Sequence, residues 1–448
     1  MDNNIIFTED QKKALDNIKK YYDSRGLFNY AVLSGQAGTG KTFLTKYIVD
    51  EIFKQKVTGV AVAHEAKNIL KKSIGDNSEV YTYAKIMGKT PEINEITGEI
   101  KFIKSDDPIL KTDIYIVDEC SMWDQNMIEE FESTVRNYRF SSFILYIGDH
   151  HQLPPIISNN NDSQLNFSPL FERDNVFYLN EIVRTNKDNN IRKLSVEIAK
   201  EIDNENNLNE LLNKISDISF YNTDKAEGTV ITNNRNNIIK TYVDTYNNFT
   251  ENGDINKCAI ISYKNSSCLN FNLEIRNRLG FTEEYEVGDI ITMKGNYINK
   301  KKDIYLTNRE RFWVKNVKKK LNKGLKCWNL TIVRFSNNDE EESYNIPVLT
   351  QESLSEYFLK KNELLSKLKK AKGRSYYAEK SKYLNYVTSF AWVNYGHTLT
   401  TYTAQGSTIE TVFADIQDIL STNPLNDLRK LQSIYVAVTR ASKRLVLY

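Results

Sequence analysis

Residues 35–42 read Gly-Gln-Ala-Gly-Thr-Gly-Lys-Thr and follow directly on the apolar run Tyr30-Ala31-Val32-Leu33. A strand that feeds a glycine-rich turn and then a helix restricts the chain to α/β folds in which a parallel sheet delivers its loops to one edge. Triphosphate oxygens need many donors at close range, and a glycine-rich backbone offers successive N–H groups with no side chains in the way. Gly35, Gly38 and Gly40 give that freedom, with Gln36, Ala37 and Thr39 between them in the cradle. Lys41 can reach the β- and γ-phosphates, and the Thr42 hydroxyl can ligate Mg²⁺. The pattern predicts a helix from Lys41 to Phe53 whose positive end points at the phosphates. ATP and Mg²⁺ are the expected cofactors.

The α/β reading extends along the chain. Val57–Ala63, Ile114–Val117 and Phe143–Ile147 are short apolar strands, and Glu65–Ser73 and Gln125–Val135 read as crossover helices. Between them, Gly88, Pro91 and Gly98 punctuate alternating residues, which predicts a β-hairpin over 88–104 inserted into a first domain. A second series follows: strand Gly228–Ile231, helix Arg235–Tyr246, strand Cys258–Ser262, helix Leu269–Leu279. From Val287 short β segments with turns take over, then a lysine-rich helical stretch over 352–382, before α/β signals return at Thr398–Ala404. A second α/β domain interrupted by an insertion of roughly a hundred residues accounts for this order.

Two further segments carry chemistry. Ile114-Tyr115-Ile116-Val117 ends in Asp118-Glu119, where one carboxylate can hold Mg²⁺ and the other can take a proton from the attacking water. Gly148-Asp149-His150-His151-Gln152-Leu153-Pro154-Pro155 follows another strand, and Gln152 is placed to bond the γ-phosphate or that water. The adjacent histidines lack a nearby cysteine or third histidine, which argues against zinc. Arg184 and Arg440 lie in the first stretch of the expected second domain and near the chain end, and phosphoryl transfer gains from cations that arrive from another domain.

At 448 residues the chain exceeds one core, and no apolar run reaches the roughly 18 residues that cross a membrane. The N-terminus lacks a signal-peptide pattern, so a cytoplasmic protein without membrane contact is expected. Cys120, Cys258, Cys268 and Cys327 have no metal-type spacing and read as reduced structural thiols. Net charge is only +2, but lysines crowd 315–326 and 360–374, and 27 Tyr and 20 Phe supply rings of the kind base stacking uses.

The phosphate loop, Val-Asp-Glu-Cys-Ser-Met (117–122), Gly-Asp-His-His-Gln-Leu-Pro-Pro (148–155), Thr-Ala-Gln-Gly-Ser-Thr (403–408) and Tyr-Val-Ala-Val-Thr-Arg-Ala (435–441) resemble, in this order, the motif series of superfamily 1 helicases. The Gln-Leu-Pro-Pro and Ala-Gln-Gly-Ser-Thr forms are similar to subgroup B, with its RecD-like, Pif-type and Dda-type members. Length and layout are most similar to the Dda type of T-even phages. The resemblance implies two RecA-like domains with ATP between them: 1–180, with a hairpin insertion at about 86–110, and 181–286 joined with 386–448. Residues 287–385 then form an SH3-like and helical accessory domain. It implies that Gln11 reads adenine, that Arg184 and Arg440 are arginine fingers, and that Gly406 lies in the segment coupling nucleotide to DNA. The hairpin would be a strand-separating pin with Phe102 as wedge. His64, Thr82, Tyr83, Tyr402 and Thr403 join Phe102 as DNA-contact candidates. Implied partners are single-stranded DNA and its junctions with duplex, with single-strand-binding or other replication proteins as further candidates and a monomer as the active form. Translocation would run 5′ to 3′. Two departures stand out: Tyr402-Thr403 replaces a common His-Lys, and Ala61-Val62-Ala63-His64 replaces a proline-containing form. Other readings are a DNA-stimulated ATPase that remodels protein–DNA complexes and a RecD-like subunit of a nuclease complex.

Overall fold

The computed structural model describes the chain except residues 1–5, 27–28, 62–63, 76–77, 94–99, 105–106, 156–164, 182–189, 205–207, 219, 223–226, 233, 250–253, 300–303, 336–340 and 424. In the first domain the strands are β1 (Tyr30–Gly35), β2 (Thr58–Ala61), β3 (Glu79–Thr82), β4 (Lys89–Ile93), β5 (Ile100–Lys104), β6 (Ile114–Val117), β7 (Phe143–Gly148) and β8 (Val176–Leu179). Six of them form a sheet in the order β3-β2-β6-β7-β1-β8, every pair parallel. The central strands β6 and β7 are buried along their whole length, as expected of strands covered on both faces. Register sets Ser34 beside Gly148 and Val117 beside Tyr146. The segments that leave β1, β6 and β7 therefore emerge side by side at one edge.

Helix Glu9–Asp23 starts with a capping box. Thr8 Oγ1 accepts from the Gln11 N–H at 3.3 Å, and Gln11 Oε1 accepts from the Thr8 N–H at 3.1 Å. In the same first turn, the Asp10 carboxylate accepts the backbone N–H groups of Asn180 and Glu181 at 2.7 and 2.8 Å, where the chain leaves β8. The expected helix after the phosphate loop changes character partway: Lys41–Tyr47 is α-helical and Ile48–Phe53 continues as a π-helix. The hairpin is present as antiparallel β4 and β5, with Pro91 opposite Phe102.

The chain then enters a second sheet with β9 (Phe220–Asn222), β10 (Glu227–Ile231) and β11 (Cys258–Ser262). It leaves for β12 (Ile290–Met293), β13 (Tyr297–Asn299), β14 (Ile304–Leu306), β15 (Arg311–Asn322), β16 (Leu325–Phe335), β17 (Glu341–Leu349) and β18 (Val393–Tyr395). It returns through β19 (Thr398–Thr400), β20 (Ile409–Ala414) and β21 (Ala441–Leu447). The second sheet runs β19-β11-β20-β21-β10-β9, parallel except at β9. Two mixed α/β units with parallel sheets are the architecture of paired RecA-like domains. The excursion forms an antiparallel sheet in the order β17-β16-β15-β12-β18. Helices Leu354–Lys370 and Arg374–Val387 pack on it through Tyr357, Leu368 and Tyr383 against Leu325, Cys327 and Leu349. Because β18 pairs with β12, this sheet extends past residue 385 to Tyr395. All four cysteines are free and buried, and no helix among the described residues is long and apolar enough to cross a membrane.

Candidate active site at the domain interface

The phosphate loop depends on backbone that only glycine adopts freely. Gly38 and Gly40 have φ of 91° and 85°, and a β-carbon at Gly35 would stand 2.7 Å from Thr39 Oγ1 and 2.9 Å from Leu179 Cβ. Lys41 Nζ folds back onto the carbonyls of Gly35 and Gln36, the latter at 3.0 Å. Thr39 Oγ1 also donates to Gln36 O, at 2.9 Å. Gln36 Oε1 is buried with no hydrogen-bond partner. Thr42 is exposed at the start of the helix. Gln11 lies against this loop, donating from Nε2 to Thr39 O at 3.0 Å, and is 1% exposed. Its carboxamide oxygen is used in the capping box, so it bridges helix start and phosphate loop.

Asp118 and Glu119 leave β6 beside the loop. Asp118 Oδ1 accepts the Glu119 N–H at 2.9 Å, and Glu119 takes a left-handed φ of 51°. Burial, reinforced by the Glu119 charge, pushes the Asp118 carboxyl up to about 7 against the opposing pull of Lys41. Lys41 alone does not offset that burial, and a divalent ion held between Asp118 and Thr42 would supply the missing positive charge. Gly148 lets the neighbouring strand pass closely, since a β-carbon there would meet Cys120 Sγ at 2.6 Å. Burial and both carboxylates raise the Cys120 thiol, so it stays protonated and inert.

The loop after β7 is fixed by polar contacts on both sides. His150 lies between Ser34 Oγ, 2.9 Å from Nδ1, and Asp203 Oδ1, 3.0 Å from Nε2. His151 lies between Asp149 Oδ1 and Asp203 Oδ2, each at 3.0 Å, and is fully buried. The Tyr435 hydroxyl donates to Asp149 Oδ2 at 2.7 Å. Asp203 and Tyr435 belong to the second domain. Burial alone would depress His151, but hydrogen bonds to Asp149 and Asp203 raise it to about 9, and both carboxyls are held below their usual range. Ligand atoms of Asp149, His150 and His151 lie within 4.8 Å of one another, so the structure supplies the metal-type cluster that the sequence argued against. Every ring nitrogen in it is already hydrogen-bonded, and an imidazolium has no lone pair to give a metal. Gln152 is 6% exposed and its Oε1 has no partner.

The second domain meets this edge directly. Gln405 Nε2 donates to Leu153 O at 3.0 Å. Gly406, at φ 76°, faces Glu119 across the cleft. Arg440 is 7% exposed; its Nη1 donates to Ser407 O at 3.1 Å and its Nε has no partner. A buried guanidinium held by a carbonyl and without a carboxylate among the described residues is suited to an incoming anion. Arg184 lies outside the described residues.

The DNA-contact candidates divide. Tyr402 and Thr403 are half-buried in the short helix Thr401–Ala404 that follows β19, where Arg309 Nη1, from the turn between β14 and β15, donates to Tyr402 O at 3.2 Å. Thr82 is buried and caps the short helix Tyr83–Ile86. Tyr83 is a correction to the expectation: its ring packs edge-on to Trp123 at 5.0 Å and its hydroxyl donates to Glu130 at 2.7 Å, which leaves no face for a base. The side chains of His64 and Phe102 lie outside the described residues. Sequence reasoning missed Ser34, Gln405, Asp203 and Tyr435. Gln405 and Tyr435 lie inside motifs the sequence does show, without a role of their own there, whereas Asp203 ends an ordinary helix and gains its role only from the approach of the two histidines.

Comparison with known proteins finds family matches toward both ends of the chain. Residues 7–218 match the family model described as an AAA domain, and residues 395–448 match that of a UvrD-like helicase C-terminal domain. The chain is 26% identical to the ATP-dependent DNA helicase dda of Enterobacteria phage T4 over 293 residues, 64% of this chain and 61% of that protein. It is 30% identical to the ATP-dependent DNA helicase Pif1 of Campylobacter jejuni over 146 residues, 32% of each. An uncharacterized protein of Acanthamoeba polyphaga mimivirus is 24% identical over 92% of this chain and 94% of its own. Among solved structures, one of Pif1 helicases on forked duplex DNA matches with a TM-score of 0.50 and 15% identity, covering 99% of this chain and 92% of that one, a likeness of fold.

Proposed function

The chain belongs to the Dda/Pif-type group of superfamily 1B helicases, and from that premise we infer how its cleft drives an ATP-dependent DNA helicase. The observation that carries the inference is the meeting of Gly406 and Glu119, with the Gln405–Leu153 hydrogen bond beside it. Nucleotide chemistry on one domain and the strand-coupling segment on the other share one contact surface.

In this reading Lys41 exchanges its two loop carbonyls for β- and γ-phosphate oxygens, and the backbone N–H groups of 36–41 cradle the rest. Asp118 and Thr42 would hold Mg²⁺, which supplies charge neutralisation at the β- and γ-oxygens. Glu119 accepts the proton of the attacking water, and Gln152 orients that water or the γ-phosphate through its free Oε1. Arg440, joined by Arg184, brings positive charge from the second domain, so the closed cleft is favoured while the γ-phosphate is present and released after hydrolysis. Alternate gripping by the two domains then moves single-stranded DNA past Tyr402 and Thr403. The β4–β5 hairpin acts as the pin, braced by the SH3-like inserted sheet. Movement runs 5′ to 3′.

The test is ATP-dependent strand separation on two duplexes, one with a 5′ and one with a 3′ single-stranded tail. Unwinding of the 5′-tailed duplex alone is expected. Unwinding of the 3′-tailed duplex alone would overturn the polarity. Hydrolysis without unwinding of either would favour a remodelling ATPase.

A further inference from the structure

The two histidines before Gln152 are bound to the second domain by one side chain. Asp203, the last residue of helix Asn190–Asp203, spans both imidazoles with its two oxygens at 3.0 Å each. Through His150 this chain of contacts reaches Ser34, next to the phosphate loop. Through His151 it reaches Asp149 and Tyr435. The two imidazoles lie with ring centroids 3.8 Å apart, between the Asp149 and Asp203 carboxylates. We propose that Asp203 is a positioning residue for ATP hydrolysis: it clasps His150 and His151 so that the loop presenting Gln152 is set by the position of the second domain.

The consequence is a loop whose placement is coupled to domain position. Gln152 follows His151 directly, and its N–H donates to Asp149 O at 3.1 Å, so a shift of Asp149 or His151 moves Gln152. Opening of the cleft would carry Asp203 and Tyr435 away together and leave His151 with Asp149 alone. The clasp is strongest with His151 protonated. The charged and titratable groups facing the pair are Asp149 on the loop, Lys41 from the phosphate-loop helix, Tyr178 from β8, and Asp203 and Tyr435 from the second domain. Held up to about 9, His151 loses its charge as pH rises through that value, and it loses it sooner without Asp203.

The proposal rests on the cleft being an ATPase, and its test separates the two. DNA-stimulated hydrolysis is measured from pH 6.5 to 9.5 for the wild type, Asp203→Asn and Asp203→Glu. Histidine titrations are followed in parallel by NMR. Asp203→Asn is expected to lower kcat by about tenfold, within the range of site–site couplings, with little change in KM for ATP. Its rate should fall at lower pH than the wild type's, as the His151 resonance titrates earlier, and Asp203→Glu should restore part of both. An unchanged pH profile and an unchanged His151 titration in Asp203→Asn would overturn the proposal while leaving the ATPase reading intact. A wild type without hydrolysis would overturn both. Stoichiometric Zn²⁺ uptake by the wild type, lost in Asp203→Asn, would show that a metal rather than a proton joins these groups.

Discussion

Gly406 of the second domain stands against Glu119 of the first: a β-carbon at 406 would lie 3.8 Å from Glu119 Oε1. That distance is ordinary contact, so space admits one methyl group but little more. Backbone is the first obstacle, because φ is 76° and a β-carbon there costs about 1–2 kcal/mol. Gly406→Ala should lower the thermal midpoint slightly and reduce hydrolysis severalfold. Gly406→Val, which also presses on the base, should lose at least ten times more activity than stability alone explains. Steady-state ATPase beside thermal unfolding of each variant decides this.

Lys41 Nζ bonds the loop carbonyls Gly35 O and Gln36 O. Lys41→Ala should abolish hydrolysis and leave single-stranded DNA affinity nearly unchanged, as read by fluorescence anisotropy. Equal loss of both would mean the loop has collapsed.

Asp118 carries a carboxyl raised to about 7, well above its unfolded value. For an acid shifted upward, the folded state binds the proton more tightly. Stability from this group is greatest in acid and falls as pH rises through 7. Asp118→Asn should therefore raise the melting temperature of the nucleotide-free protein at pH 8, with the advantage shrinking toward pH 4. With Mg²⁺ and a non-hydrolysable ATP analogue the order should reverse, since only the wild type gains from the ion.

Tyr435 gives its hydroxyl to a buried carboxylate, Asp149, across the interface. Tyr435→Phe should cost about 1.5–3 kcal/mol, the usual worth of a hydrogen bond to a charged group. Urea unfolding of the two proteins measures it, and a midpoint unchanged within error would show that the contact contributes nothing.

The hairpin β4–β5 stands apart from both parallel sheets. Replacing 89–104 by a short Gly-Ser linker should eliminate unwinding of a 5′-tailed duplex and preserve DNA-stimulated hydrolysis. Loss of both would assign the hairpin to DNA binding instead of strand separation.

Much of this site was legible before any coordinates. The glycines of 35–40 and the carboxylates ending β6 announce themselves because phosphate binding constrains backbone and spacing locally. The strands Ile114–Val117 and Cys258–Ser262 fall where their apolar runs lie. Other features depend on contacts distant in sequence. Val176–Leu179 carries too short a signal to read as a strand until β1 offers an edge. Tyr83 looks like a stacking ring by position, yet Trp123 and Glu130 claim it. Asp203 is an ordinary helix-end carboxylate until two histidines from the other domain reach it.

The grip of Asp10 on the amides of Asn180 and Glu181 bears on leverage. The chain's exit from the first domain is tied to the helix that also holds the phosphate loop through Gln11, so the amides of Asn180 and Glu181 share one support with the nucleotide loop. A push on the phosphate loop is thus handed on, through one short helix end, to the point where the chain departs for its second domain.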